Sequence, residues 1–137
     1  MSDPVRSCDI QIRVRYAEVD QAGALHHSRY WVYFEMGRTE LLRAQGLCYR
    51  DLEQQGVFFV IAKCSARFRS AAHYDDLLTL TTRVTKTGQA RIDHVYELNR
   101  TSASGVPELL TTAETTLACV NRRGKIIPIP QGVRTPT

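Results

Sequence analysis

The sequence predicts an α+β domain in which one antiparallel sheet of five to six strands wraps around one long helix. Three observations carry that expectation. Residues 28 to 45 are the one stretch with a broad apolar stripe at helical spacing, and from residue 57 onward the apolar period drops to two. The connections between the alternating runs are too short for the crossovers that parallel strands need. With 137 residues the chain fits a single domain over 1–137 with an irregular tail from about 130 to 137, one core and one site.

Residues 11 to 16, QIRVRY, alternate strictly. Ile12, Val14 and Tyr16 face one way and Gln11, Arg13 and Arg15 the other, the pattern of a half-buried strand with Tyr16 on its inner face. After a loop around Gly23, Trp31, Phe34, Leu41 and Leu42, with Tyr30, Tyr33 and Ala44 beside them, form the helical stripe. Ser28 is the expected N-cap, because its hydroxyl can accept from a free amide of the first turn, and Gly46 is the expected stop. No second helix is expected.

Cys64, Ala66 and Phe68 then alternate with Lys63, Ser65, Arg67 and Arg69, which places these basic residues on one strand face. Leu78, Leu80, Thr82 and Val84 repeat the period, as do Ile92, His94, Tyr96 and Leu98. A last pair of strands, about 110 to 120 and 125 to 129, is joined by the turn Asn121-Arg122-Arg123-Gly124. The proline-rich tail PIPQGVRTPT is expected to be irregular. One sheet around one helix leaves its outer face and edges uncovered, which predicts a homo-oligomer: a dimer, or a dimer of dimers giving a homotetramer.

Composition narrows the function. Apolar residues at 43% and charged residues at 23% are ordinary for a globular chain, and no apolar run is long enough for a membrane helix. The opening MSDPVRSCDI lacks the basic flank and apolar stretch of a secretory leader, so a cytoplasmic location is expected. The net charge of +4 suits an anionic partner, yet no like-charge run exceeds Arg122-Arg123 and basic and aromatic positions are not interleaved. Nucleic-acid binding therefore ranks last. Cys8, Cys48, Cys64 and Cys119 form no C-x-x-C pair and read as reduced, mostly buried thiols. No acid or histidine completes a ligand set with His27, His73 or His94, so no metal and no cofactor are expected.

The stretch AEVDQAGALHHSRYW carries the candidate chemistry. Asp20 has an ordinary reading, a turn aspartate capping DQAG. Its position just ahead of a long helix supports a second one. The free N–H groups and dipole at a helix start favour negative charge, so they can stabilise the oxyanion formed when a carbonyl is attacked. A carboxylate beside that end can attack the carbonyl or deprotonate a water. His26 and His27 are adjacent, which directs their rings apart, so that one at most faces the site. Tyr16 is most simply core, with a hydroxyl able to reach Asp20. Attack on an activated carbonyl needs only this equipment.

The run RVRYAEVDQAGALHHSRYWVYFEMGRTELLRAQG resembles the opening of hotdog-fold acyl-CoA thioesterases of the 4-hydroxybenzoyl-CoA thioesterase type. ARFRSAAHYDDLLTLTTRV and LACVNRRGKIIPIP resemble a later strand with its YDD-L turn and the closing hairpin of the same family. The resemblance implies a hotdog fold and an acyl-CoA substrate, with Asp20 as nucleophile or general base. It also implies an oxyanion pocket at the N–H of His27, with Tyr16 and Tyr30 near the site. Gly23 is read as letting the backbone approach the substrate. Position 26 is usually aromatic in the family and is His here, and the Asn common before Tyr30 is Arg29.

Coenzyme A carries several phosphate charges. Lys63, Arg67 and Arg69 on one strand face, and Lys86 and Arg91 flanking KTGQAR, are the candidate contacts, against the reading of a solvated outer face. Asp75 and Asp76 read as a turn before a strand. Trp31, Phe58, Phe59 and Tyr30 are candidates to line a flat acyl pocket, which would favour a hydroxybenzoyl- or dihydroxynaphthoyl-type aromatic acyl group. The alternatives are short- to medium-chain aliphatic thioesters of CoA or acyl carrier protein, or a non-catalytic binder of acyl thioesters. A dehydratase would need a His before a Pro-Gly helix entrance and a facing Glu, and that arrangement is missing.

Overall fold

Residues 5–133 are described in this structure, a computed structural model. Five strands, β1 (Ser7–Arg13), β2 (Phe58–Phe68), β3 (Leu77–Thr87), β4 (Arg91–Arg100) and β5 (Glu108–Val120), form one sheet in the order β1-β3-β4-β5-β2. Every pairing is antiparallel, and β1 and β2 are the edges. Helix α1 (His27–Ala44) lies across one face, as the apolar stripe predicts. Its sheet side buries Tyr30, Tyr33, Phe34, Leu41 and Leu42. Phe34 is fully covered, which contributes about 2 kcal/mol to folding.

Gly37 sets how closely α1 rides on the sheet. A Cβ there would stand 2.2 Å from Thr82 Oγ1 and 2.8 Å from Leu80 Cδ2, so only a residue without a side chain fits. The core divides near this point. One cluster, around Val14, Tyr33, Phe34, Leu80 and Leu98, underlies the first half of α1; the other, around Leu41, Leu42, Leu52, Ile92 and Cys119, underlies the second. Between them lies a buried polar layer. Arg38 Nη1 reaches the Tyr96 hydroxyl at 3.5 Å, that hydroxyl meets Thr115 Oγ1 at 2.7 Å, and the His94 ring stacks on Tyr96.

His94 Nδ1 is buried without a hydrogen-bond partner. Burial first, and then the Arg38 charge, push its pKa from 6.5 down to about 4, with Asp93 pulling the other way. Between pH 6.5 and about 4 the unfolded chain binds a proton that the folded chain refuses, so stability falls as pH drops through that window. Urea unfolding is expected to show about 2 kcal/mol less stability at pH 5 than at pH 7, and His94→Gln is expected to remove most of that difference. An equal loss in both proteins would contradict the assignment.

Several expectations need correction. The first strand ends at Arg13, and Tyr16 opens a 3-10 turn (Tyr16–Glu18) with 78% of its surface exposed. The cause is Glu18, whose carboxylate accepts the Arg15 N–H at 2.9 Å and closes a turn where alternation alone would continue a strand. Ser28 is not the N-cap. His26 is, its Nδ1 accepting the Ser28 N–H at 3.3 Å, while Gly46 at φ +87° ends the helix as expected. A second helix, α2 (Tyr49–Gln54), buries Leu52 and rests Tyr49 against Phe59; its six residues are too few to show a period. Of the closing pair, residues 125 to 129 form no strand after the expected turn, but make the bridge Val120↔Ile126 and donate the Ile127 N–H to Cys119 O at 3.0 Å. The thiols are not mostly buried: Cys119 is, but Cys8 and Cys48 are half-buried and Cys64 is exposed.

Candidate active site

The chain between β1 and α1 folds back on itself. The His26 N–H donates to Glu18 O at 3.0 Å, Val19 bridges Leu25, and the Asp20 N–H donates to Ala24 O at 2.8 Å. Gly23, at φ +83°, makes the reversal. This ladder sets Glu18 beside His26 at the entrance of α1 and Asp20 two rungs further out, opposite Ala24. One carboxylate oxygen, Oδ1, accepts the Ala22 and Ala24 N–H groups at 2.9 and 3.1 Å, so the turn reading of Asp20 is realised in the geometry. Oδ2 has no donor among the described residues, and the side chain is exposed.

At the helix tip the amides divide. His26 Nδ1 occupies the Ser28 N–H, and His26 O accepts the Arg29 N–H at 2.9 Å. The His27 N–H has no acceptor among the described residues, which leaves it as the donor an incoming anion would meet. The two imidazoles do not diverge as expected. Their centroids lie 4.3 Å apart with a 31° tilt, because His26 turns back to cap the helix.

Glu18 was not singled out from the sequence, although it is the buried acid of this region, 3% exposed. It accepts from the Tyr33 hydroxyl at 2.8 Å and from Arg15 Nη2 at 3.2 Å. Burial raises its pKa, but the Arg15 and Tyr33 contacts outweigh that and hold the carboxyl below its usual range. Glu18 therefore ties the turn to the second turn of α1. Its stabilising effect is present above pH 4.5 and lost as pH falls through the lowered value. The signal available was the spacing from Arg15 to Glu18, a capping-box pattern outside an α-helix.

The remaining predicted residues are distributed as follows. Tyr16 packs edge-on against Tyr74 at 5.4 Å, at the rim of the Asp20 turn, and makes no hydrogen bond to Asp20. Tyr30 is buried, and its hydroxyl accepts the Ala72 N–H at 3.3 Å, so it anchors the neighbouring loop. Lys86 and Arg91 come together with Lys63 around a recess of about 610 Å³ that also includes Asp93. Arg67 lines a separate recess with Arg83, Glu97 and Glu114. Arg69 lies past the end of β2, its N–H donating to Leu110 O at 2.8 Å, so it does not share a strand face with Lys63.

The four aromatics do not form one pocket within a chain. Phe58 sits under the Arg122 guanidinium and Phe59 against Tyr49, at the start of β2; Trp31 leans on Phe34. Tyr30 meets Phe68 at the far end of β2, at 4.9 Å, and Phe68 is 49% exposed. Phe68 is thus an accessible aromatic beside the first turn of α1 that sequence reasoning assigned only to a strand face.

An antiparallel sheet holding one long helix defines a hotdog domain, and here an acidic hairpin leads into the tip of that helix. Residues 14–136 match the model of the thioesterase-like superfamily. The chain is 34% identical to the acyl-CoA thioesterase YbgC of Haemophilus influenzae over 119 residues, 86% of this chain and 83% of that protein. YneP of Bacillus subtilis is 36% identical over 72 residues, a match that spans about half of each protein, 53% and 52%. Among solved structures, a DHNA-CoA thioesterase from Staphylococcus aureus superposes with a TM-score of 0.83 at 28% identity, covering 89% of this chain and 80% of that one. The chain belongs to the thioesterase-like superfamily, and by class it is a thioester hydrolase.

Proposed function

We propose that this chain hydrolyses an acyl-CoA thioester to the free acid and CoA, with Asp20 as general base or nucleophile and the His27 N–H as the oxyanion donor. The observation that carries this reading is the division of labour at the turn. Oδ1 of Asp20 is pinned by backbone amides while Oδ2 stays open, on a ladder that leads directly into the free amide of an 18-residue helix. As a base, Oδ2 takes a proton from a water whose oxygen attacks the thioester carbon. As a nucleophile it attacks directly, giving a mixed anhydride that water then opens. In either route the carbonyl oxygen becomes negative, the His27 N–H stabilises it, and collapse expels the CoA thiolate, which takes up a proton.

The Lys63, Lys86 and Arg91 recess suits the CoA phosphates, with Arg67 and Arg69 as further candidates. Gly23 lets the chain turn tightly at the site, Tyr30 supports it from beneath, and Tyr16 stands at its rim. For the acyl group we favour an aromatic ring, resting on Phe68 beside Tyr30, and the likeness to a DHNA-CoA thioesterase supports that choice. β2 is an edge strand with an unpaired backbone, and Val60 and Ile61 on it are exposed, which supports a homodimer joined there and a dimer of dimers as the homotetramer. No described helix is long and apolar enough to cross a membrane.

Release of the CoA thiol from benzoyl-, naphthoyl- and straight-chain acyl-CoA esters tests the reading. Turnover is expected, fastest with the aromatic esters. Faster turnover of straight chains would replace the acyl assignment, and tight binding without any hydrolysis would favour the non-catalytic binder.

A further inference from the structure

The loop 69–76 lies against the Asp20 turn and supplies most of its backing. The Leu25 N–H donates to Ala72 O at 2.8 Å, the Tyr74 N–H donates to Gly23 O at 3.0 Å, and Ala24 bridges His73. The outer end of the turn that presents Asp20, Gly23–Leu25, is therefore placed by residues 72–74, while Glu18 ties its inner end to α1. These residues are not part of any strand of the sheet. Their position is set at the loop's far end, where Asp76 Oδ2 accepts the His73 N–H at 2.8 Å and the Asp76 N–H returns to His73 O at 3.1 Å.

Arg100, the last residue of β4, holds both ends of this loop. Its Nη2 donates to Ala71 O, its Nε stands 3.0 Å from Asp76 Oδ2, and its Nη1 donates to Glu108 Oε1 at 3.3 Å. The Nε–H does not point along the line to Asp76, so that contact is an ion pair rather than a directed hydrogen bond. Asp75 between them takes φ +68°, a conformation that side chains rarely adopt, held by its N–H to Val14 O at 3.0 Å and by Arg13 Nη1 to its carbonyl at 2.8 Å. Arg100 and Asp76 belong to neither core cluster, and both side chains are about three-quarters covered.

We infer that Arg100 and Asp76 are positioning residues for the reaction: they clamp residues 71–76 so that Gly23–Leu25, and with them the Asp20 carboxylate, stand in register with the tip of α1. This inference rests on the proposed role of Asp20. Neither side chain touches the reacting atoms. Each acts through the backbone that carries Asp20, where a displacement of about 1 Å can lower turnover on the order of 100-fold.

The experiment combines steady-state kinetics on the preferred acyl-CoA, amide hydrogen exchange and thermal unfolding of Arg100→Met, Arg100→Lys and Asp76→Asn, with Asp20→Asn alongside. Arg100→Met is expected to lose about 10- to 100-fold in kcat with KM within about threefold. Exchange at the Leu25 and Tyr74 amides should quicken while that of central β3 and β4 amides and the unfolding temperature stay near wild type. Arg100→Lys, which keeps the charge opposite Asp76, should recover part of kcat. Unchanged kcat in Arg100→Met, or faster exchange without a fall in kcat, overturns the inference. So does a kcat loss that only tracks a general fall in stability. Asp76→Asn gives the same decision should Arg100→Met not fold. Full activity of Asp20→Asn would remove the Asp20 reading and the clamp's purpose together. An inactive Asp20→Asn beside a fully active Arg100→Met would remove the clamp alone.

Discussion

Asp20→Asn is expected to lower kcat by between about 100- and 10,000-fold, the range associated with losing a positioned base, with little change in KM. The substitution isolates chemistry from architecture. Asparagine keeps an oxygen that can accept the Ala22 and Ala24 N–H groups, so the turn and its ladder persist. The other position becomes an amide NH2, which neither takes a proton from water nor attacks a carbon. Unfolding temperature should therefore match wild type. Kinetics with the best ester of the panel check the outcome, and wild-type turnover in Asp20→Asn would remove Asp20 from the mechanism.

Gly37→Ala is expected to be the most damaging single-methyl change in the fold. The added carbon would overlap Thr82 Oγ1 and press on Leu80, both fully buried and both on β3, so relief requires lifting α1 from the sheet. Overpacking of this kind costs about 2–3 kcal/mol, or on the order of 5–10 °C in unfolding temperature for a domain of this size. The polar layer beside it, Arg38 to Tyr96 to Thr115, would be strained by the same displacement. Thermal unfolding tests this, and Thr82→Ala in the same chain should recover part of the loss, because it removes the nearer of the two contacts. An unchanged unfolding temperature in the single variant would show that α1 is free to move at this point.

The helix and the strands were legible because their signal is local and repeated. Tyr30 to Leu42 keep one period, Leu78 to Leu98 another, and burial against a common core enforces both. Errors arose where one side chain outweighs a period. Tyr16 continues the alternation of β1, but Glu18 takes the Arg15 N–H and turns the chain outward. Ser28 has the usual capping chemistry, yet the helix begins one residue before it, at His27, and the imidazole of His26 caps it by accepting the Ser28 N–H.

Within the candidate site, the turn at Asp20 and Gly23 and the open His27 amide could be read from their order before a helix, since turn and helix tip are neighbours in the chain. Glu18 with Tyr33, and Arg100 with Ala71 and Asp76, pair residues far apart in sequence. Nothing in a local pattern reports such pairs, and a lone acid or arginine reads as a solvated one. The aromatic residues show the same limit. Phe58, Phe59, Tyr30 and Trp31 suit a pocket by type, but the length of β2 separates the first two from Tyr30, and Phe68 takes the place beside it.

A crystal structure of Asp20→Asn with intact benzoyl-CoA tests most directly that acid and helix tip share a thioester. The thioester oxygen should lie within about 3 Å of the His27 nitrogen, with its carbon facing the substituted side chain at position 20. A thioester bound away from the first turn of α1, with the His27 N–H still open, would contradict the account.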